Sequence, residues 1–253
     1  MLNVPKRKKS ESPKILYEDN FFLVLDKPAG LVANRSQTTK GLTLQDWIES
    51  NLKFKIENLG RYRSGIVHRL DKETSGVILV AKTPKVFENL QCQFKERRVK
   101  KRYLALVHGR VESAEGTVRA PISRSPFDRK KFGIFLGGRE AETKYKILRY
   151  YDMPASRDSF GMKKLGKFTL LELSPKTGRT HQIRVHLKYL GHPVVGDEFY
   201  AGRKTARADR YWCPRQFLHA SAISFFHPAT GKLIEFCSSL PKDLENALKY
   251  LKK

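Results

Sequence analysis

A carboxylate that is to act as a nucleophile or a base must be ionised and displayed, and Asp71 satisfies both demands. It lies in the polar run His68-Arg69-Leu70-Asp71-Lys72-Glu73-Thr74-Ser75-Gly76, two positions after Arg69. An aspartate, with a reference pKa of about 3.9, is charged at neutral pH. The run is too short and too polar to be the interior of an element, and loops between elements are where scaffolds present reactive groups. Taken alone, the tetrapeptide around Asp71 reads rather as a turn that Thr74, Ser75 and Gly76 complete. Other chemistries find less support. Cys92, Cys213 and Cys237 are too widely spaced for a zinc knuckle or a disulfide framework, which predicts reduced, partly buried thiols. His181 and His186 are five apart and share no helix face, so no metal site is expected.

The elements that must position Asp71 can be read from apolar periodicity. Phe22-Leu23-Val24-Leu25 is a strand that ends at the turn signal Asp26-Lys27-Pro28-Ala29-Gly30. Thr43 is placed to cap a helix with Leu44, Trp47, Ile48 and Leu52 on one face. Directly after the Asp71 run, Val77-Ile78-Leu79-Val80-Ala81 is a continuous apolar stretch, the pattern of a strand covered on both faces. Thr83-Pro84 then opens a helix whose Phe87, Leu90 and Phe94 stripe belongs to the core. Val99 to Val107 returns as a strand, and the Arg-, Lys-, Gly- and Pro-rich stretch from Ala120 to Glu142 reads as a basic loop or ribbon. Thr143 to Tyr150 and Phe168 to Leu173 are strands separated by an irregular segment, Asp152 to Lys167. Thr180 is expected to cap a short helix closed by Gly191, with Ile183, Leu187 and Leu190 inward and Arg184 and Lys188 flanking them. Ala201 to Arg215 is a further basic excursion, followed by a strand, Leu218 to Phe226, and a helix, Pro241 to Leu251. Without a regular βαβ rhythm, the expected class is α+β, with a mixed, mostly antiparallel central sheet flanked by helices and loops. Residues 1–13 read as a flexible basic tail and 14–253 as one domain.

Charge narrows the partner. Fifty Lys plus Arg against twenty-five Asp plus Glu give a formal +25 over 253 residues, a self-repelling surface that a polyanion would neutralise. Phosphate backbones supply that polyanion, and each neutralised phosphate releases a condensed counterion. No apolar run reaches the roughly 20 residues of a membrane span, and the amino terminus lacks a secretory apolar core, so the chain reads as a soluble, intracellular protein.

A series of motifs then occurs in order. The Asp71 run closely resembles the signature of RluA-type pseudouridine synthases. Lys101-Arg102-Tyr103-Leu104-Ala105-Leu106-Val107-His108-Gly109 resembles the tyrosine motif of that family, and Gly178-Arg179-Thr180-His181-Gln182-Ile183-Arg184-Val185-His186 its basic motif. Gly191-His192-Pro193, Gly196-Asp197 and Tyr200 match the segment that follows, and Leu218-His219-Ala220 with His227-Pro228 the closing strand.

The resemblance implies a pseudouridine synthase catalytic fold, a uridine in ribosomal or transfer RNA as substrate, and neither cofactor nor metal; a monomer in the cytoplasm is expected, though the resemblance is not what implies it. It implies that Asp71 attacks the target nucleotide, at the ribose anomeric carbon or on the base. Tyr103 would stack on the uracil and assist proton transfer, and Arg184 would pair with Asp71 and hold it ionised. Ile183 would pack on the uracil and Arg69 would fill the space of the flipped nucleotide. His68, Arg179 and His181 join the substrate-binding set through their motifs, and Arg124 and Arg129 through a basic loop that resembles one thought to help bend RNA. Extruding a base costs a few kcal/mol, which a stacked aromatic ring (about 1–3 kcal/mol per base) and a planar guanidinium can offset. Measured against the resemblance, 14–253 is expected to be a single catalytic domain with no separate amino-terminal RNA-binding module, and two segments, Tyr151 to Lys167 and Ala201 to Cys213, are longer than it leads one to expect. The competing readings are a catalytically silent RNA-binding or ribosome-assembly factor of the same fold and a metal-dependent nuclease. The absence of an acidic cluster speaks against the nuclease.

Overall fold

The computed structural model describes residues 12–36, 39, 41–52, 62–154 and 166–252. The basic run Lys6 to Lys9 and most of the 152–167 segment lie outside the described residues. In chain order the strands are β1 (Lys14–Glu18), β2 (Phe22–Lys27), β3 (Ser75–Ala81), β4 (Lys100–His108), β5 (Glu115–Arg119) and β6 (Ile122–Arg124). They continue as β7 (Phe132–Ile134), β8 (Glu142–Asp152), β9 (Lys167–Pro175), β10 (Leu218–Phe226) and β11 (Leu233–Cys237). Among the described residues the α-helices are α1 (Leu44–Asn51), α2 (Pro84–Lys95), α3 (Gln182–Tyr189), α4 (Arg203–Asp209) and α5 (Lys242–Tyr250). None of them is long and apolar enough to cross a membrane. The class is α+β and mostly antiparallel, as expected from the sequence.

The fold divides into two compact units. The first holds the described residues up to Lys101 together with Ala220–Ser239. There β1 pairs with β2 and β2 with β3, both antiparallel, and β11 pairs with β10. Every residue of β3 is buried, as its unbroken apolar run required. Val77, Leu79 and Ala81 point to one side, where Val86 and Leu90 of α2 join Phe22, Val24, Ile223 and Phe225 in a core cluster. Burying side chains of this kind stabilises by about 1.5–3 kcal/mol each before entropy is counted. Both helix starts follow their sequence signals. The Thr43 hydroxyl accepts from the Asp46 N–H in a capping box, and the Thr83 hydroxyl accepts from the Val86 N–H.

The second unit comprises Arg102–His219 and Leu240–Lys253. Strands β4, β9, β8 and β5 are joined antiparallel in that order, with an irregularity in β8 between Ile147 and Arg149. The expected ribbon between Ala120 and Glu142 is the two-stranded β6–β7 pair. The larger core cluster gathers Leu106, Phe168, Val195, Trp212, Cys213 and Phe217 against Leu244 and Ala247 of α5 and Leu251 just after it. A smaller one joins Ile122, Ala141, Val185 and Tyr200, with Phe132 and Ile134 of the ribbon packed on it.

Four local expectations are corrected. Thr180 does not cap α3: His181 occupies the cap in a left-handed conformation, φ 56°, with no side-chain cap bond. The buried Gln182 organises that corner instead, its Oε1 accepting from Arg179 N–H and Thr177 hydroxyl and its Nε2 donating to Glu142 O and Thr143 Oγ1. Arg184 does not flank a solvated face; α3 is buried from Gln182 through Leu187. The thiols are not uniformly part-buried, since Cys213 is buried and Cys92 and Cys237 are exposed. The basic excursion after Ala201 contains α4, and two strands, β5 and β11, arise where none was expected.

Candidate active site

In the first unit the chain from Ile66 runs beside β3 before it turns. Ile66 bridges Val80, and Val67 N–H donates to Leu79 O at 3.4 Å. At the next position a side chain replaces the backbone: Leu79 N–H donates to His68 Nε2 at 3.0 Å. That bond fixes the tautomer, because an accepting Nε2 leaves the proton on Nδ1. Burial, then the charge of Lys101, lowers the His68 pKa to about 3, so the ring is neutral at physiological pH. Its face lies 5.1 Å from the ring of Phe94.

The turn itself is pinned through its backbone. Thr74 N–H donates to Asp71 O at 3.1 Å, and Lys72 O accepts from Gly30 N–H at 2.7 Å. The ammonium of Lys27, wholly buried, donates to Pro28 O and Leu31 O at 2.9 Å and to Lys72 O at 3.4 Å. Gly76 ends the turn with φ 115°, and a Cβ there would stand 2.1 Å from Ala220 O, so only glycine fits. Asp71 is half-buried and Arg69 exposed.

In the second unit Arg184 lies in the first turn of α3, buried to 4% exposure. Its Nε donates to Asp197 Oδ2 at 2.6 Å and its Nη2 to Asp197 Oδ1 at 2.9 Å, a two-pronged pair with a carboxylate that is also buried. Asp197 further accepts from Phe199 N–H (3.0 Å) and Tyr200 N–H (3.3 Å), and the guanidinium lies 4.9 Å from the Tyr200 ring centre. Ile183 and Tyr103 are buried, Tyr103 opposite Leu173 in the β4–β9 ladder.

Tyr200 also joins the basic ribbon to this helix. Its hydroxyl accepts from Phe132 N–H at 3.1 Å and lies 2.9 Å from His181 Nδ1, while the His181 and Phe132 rings meet edge to face at 5.6 Å. Arg124 donates to Arg129 O at 2.6 Å and covers the Phe132 ring at 5.1 Å. Arg179 Nε donates to Glu140 O at 3.0 Å. The structure therefore brings His68, Arg69 and Asp71 together in one unit, and Arg124, Arg129, Arg179, His181, Ile183 and Arg184 together in the other, where Tyr103 also lies.

The profile of the family described as RNA pseudouridylate synthase matches residues 21–189. The chain belongs to the RluA family of RNA pseudouridine synthases. It is 38% identical over 242 residues to the uncharacterized RNA pseudouridine synthase slr1629 of Synechocystis sp., covering 94% of this chain and 69% of that one. It is 39% identical over 243 residues to the ribosomal large subunit pseudouridine synthase D of Nitrosomonas europaea, covering 94% and 65%. Among solved structures, human RNA Pseudouridylate Synthase Domain Containing 1 matches with a TM-score of 0.72 at 28% identity, covering 96% of this chain and 90% of that one.

The chain is thus an RNA pseudouridine synthase, an isomerase, and two of its buried anchors were not assigned a role from the sequence. Asp197 lay within the motif series, but its role as the partner of Arg184 was not assigned; the rule that a buried arginine requires an acid would have found it, had the burial been legible. Lys27 stood in a segment read only as a turn, and no pattern marked its ammonium as buried.

Proposed function

We propose that this synthase isomerises specific uridines of ribosomal RNA, with Asp71 as nucleophile and with the target nucleotide flipped out of its stack. The observation that carries this reading is the pinned turn: Asp71 opens a loop whose backbone is fastened by Gly30, Lys27 and Thr74, the rigidity a positioned nucleophile requires. Supporting the choice of RNA class, two relatives carry the name ribosomal large subunit pseudouridine synthase D.

In the proposed reaction an Asp71 oxygen attacks the ribose anomeric carbon and the bond from that carbon to uracil N1 breaks. The detached uracil rotates, its carbon-5 bonds the anomeric carbon, and the carboxylate leaves. The proton of carbon-5 is lost and N1 gains one, so atoms balance with no oxidant and no net hydrolysis. Arg184 supplies the cation that keeps the carboxylate ionised, Tyr103 and Ile183 hold the base, and Arg69 takes the place it vacates. His181, Arg179, Arg124 and Arg129 contact the flanking strand. His68 fixes the turn through Leu79 rather than touching the base.

Asp71→Asn preserves size and hydrogen bonding but removes the nucleophile. It is expected to abolish pseudouridine formation on a large-subunit ribosomal RNA transcript while RNA affinity stays within a few-fold. A variant that still forms pseudouridine would refute the assignment.

A further inference from the structure

We propose that the cleft beside α4 is a second RNA-contact site, taking a backbone phosphate and the base next to it at a position away from the reacting nucleotide. The cleft, of about 410 Å³, is lined by Glu198, Arg203, Ala206, Arg207, Arg210 and Tyr211. That volume falls in the range of sites for small organic ligands, ample for one nucleotide unit. It lies beyond residues 21–189, the part of the chain that the family profile matches.

The helix is a poor one by its own standards. It has seven residues, starts at Gly202 with φ 91° and no side-chain cap bond, and has no acidic residue in its first turn. Arg203 and Lys204 instead put positive charge at the positive end of the helix dipole. Arg203 and Arg207, four apart, repel each other on one face. Arg203 and Arg207 are exposed, and among the described residues neither has an ion-pair partner. Such an arrangement gains from an external anion, and the three guanidiniums against one carboxylate, Glu198, leave two net positive charges to attract it.

The arginines are nonetheless mounted on a fixed base. Ala206 and Asp209 are buried, and Asp209 Oδ2 accepts from Gly196 N–H at 2.8 Å and lies 3.0 Å from His108 Nε2. Arg210 Nη2 donates to Gly196 O at 3.4 Å, which holds it against one wall. Tyr211, 47% exposed, lines the same cleft. Guanidiniums for phosphate and an aromatic face for a base are the two parts of a sequence-tolerant single-strand contact. Glu198 adds an acceptor suited to a ribose hydroxyl, the group that distinguishes RNA.

The inference rests on RNA being the substrate but not on the assignment of Asp71, so the two fail separately. In the full chain, Arg203→Gln/Arg207→Gln is expected to weaken binding of a ribosomal RNA transcript about tenfold at physiological ionic strength. It should also flatten the dependence of log affinity on log salt by about 0.7, the loss of one single-strand phosphate contact. The rate at saturating RNA should be unchanged, and Arg203→Lys/Arg207→Lys should restore the salt slope. A Tyr211→Trp variant, compared with the unaltered chain, should show fluorescence quenching when RNA is added and none with excess inorganic phosphate. An unchanged affinity and salt slope in the glutamine variant would overturn the proposal. So would a loss confined to the rate at saturating RNA, or quenching by phosphate alone, which would mark a small-anion site instead.

Discussion

The two polar segments that carry the synthase's motif residues are fastened by opposite means. Around Asp71 the supports act on backbone: His68 accepts from Leu79 N–H, and Lys27 and Gly30 donate to Lys72 O. At the start of α3 the support acts on a side chain, the buried Arg184–Asp197 pair. The difference follows from chemistry. A carboxylate proposed as a nucleophile is well positioned through the peptide it hangs from, because the backbone fixes where the side chain starts. A guanidinium has two edges, so it can be anchored along one and still act as a cation.

That contrast can be broken from either side, and the largest effect is expected at the ion pair. Asp197→Ala leaves a buried guanidinium without its carboxylate and should destabilise by about 3–5 kcal/mol, read from urea unfolding midpoints. An unchanged midpoint would mean that solvent or another group replaces the acid. His68→Leu leaves only one backbone N–H unmet and should cost about 1–3 kcal/mol. His68→Asn or His68→Gln, which can offer an acceptor, should recover part of it.

A pH dependence also belongs to the Asp71 side. His68 has a folded pKa near 3 against an ordinary value of 6.5. The unfolded chain therefore binds the extra proton between those limits. The contribution is fully present above pH 6.5 and is lost as the pH falls toward 3. Unfolding of the unaltered protein near pH 5 should take up about one more proton than unfolding of His68→Gln, and equal uptake would show that the ring is not held neutral.

Regular elements were legible in the sequence where one local pattern governs them. The all-apolar Val77–Ala81 run became a fully buried strand, and Thr83-Pro84 opened α2. Strand β10 fell on the expected residues, Leu218–Phe226. Less was visible where the decisive contact is remote in sequence. Nothing near Arg184 announces Asp197 thirteen residues on, and the side chain of Gln182 displaced Thr180 at the helix corner through contacts to Glu142 and Thr143. Helix α4 carries charges that oppose it and no cap, so periodicity gave no cue. Strand β11, alternating exposed and half-buried, lacks the apolar run that marks a core strand. Resemblance singled out the motif residues, but their supports are a property of packing.

The most direct test follows a single hydrogen. In a ribosomal RNA transcript carrying tritium at uracil carbon-5, each isomerisation releases one tritium to water. The unaltered enzyme should release it stoichiometrically from its target sites under single-turnover conditions, whereas Asp71→Asn, shown to bind the same transcript, should release none above the enzyme-free background. Tritium release by Asp71→Asn at a rate near that of the unaltered enzyme would contradict a mechanism built on this carboxylate.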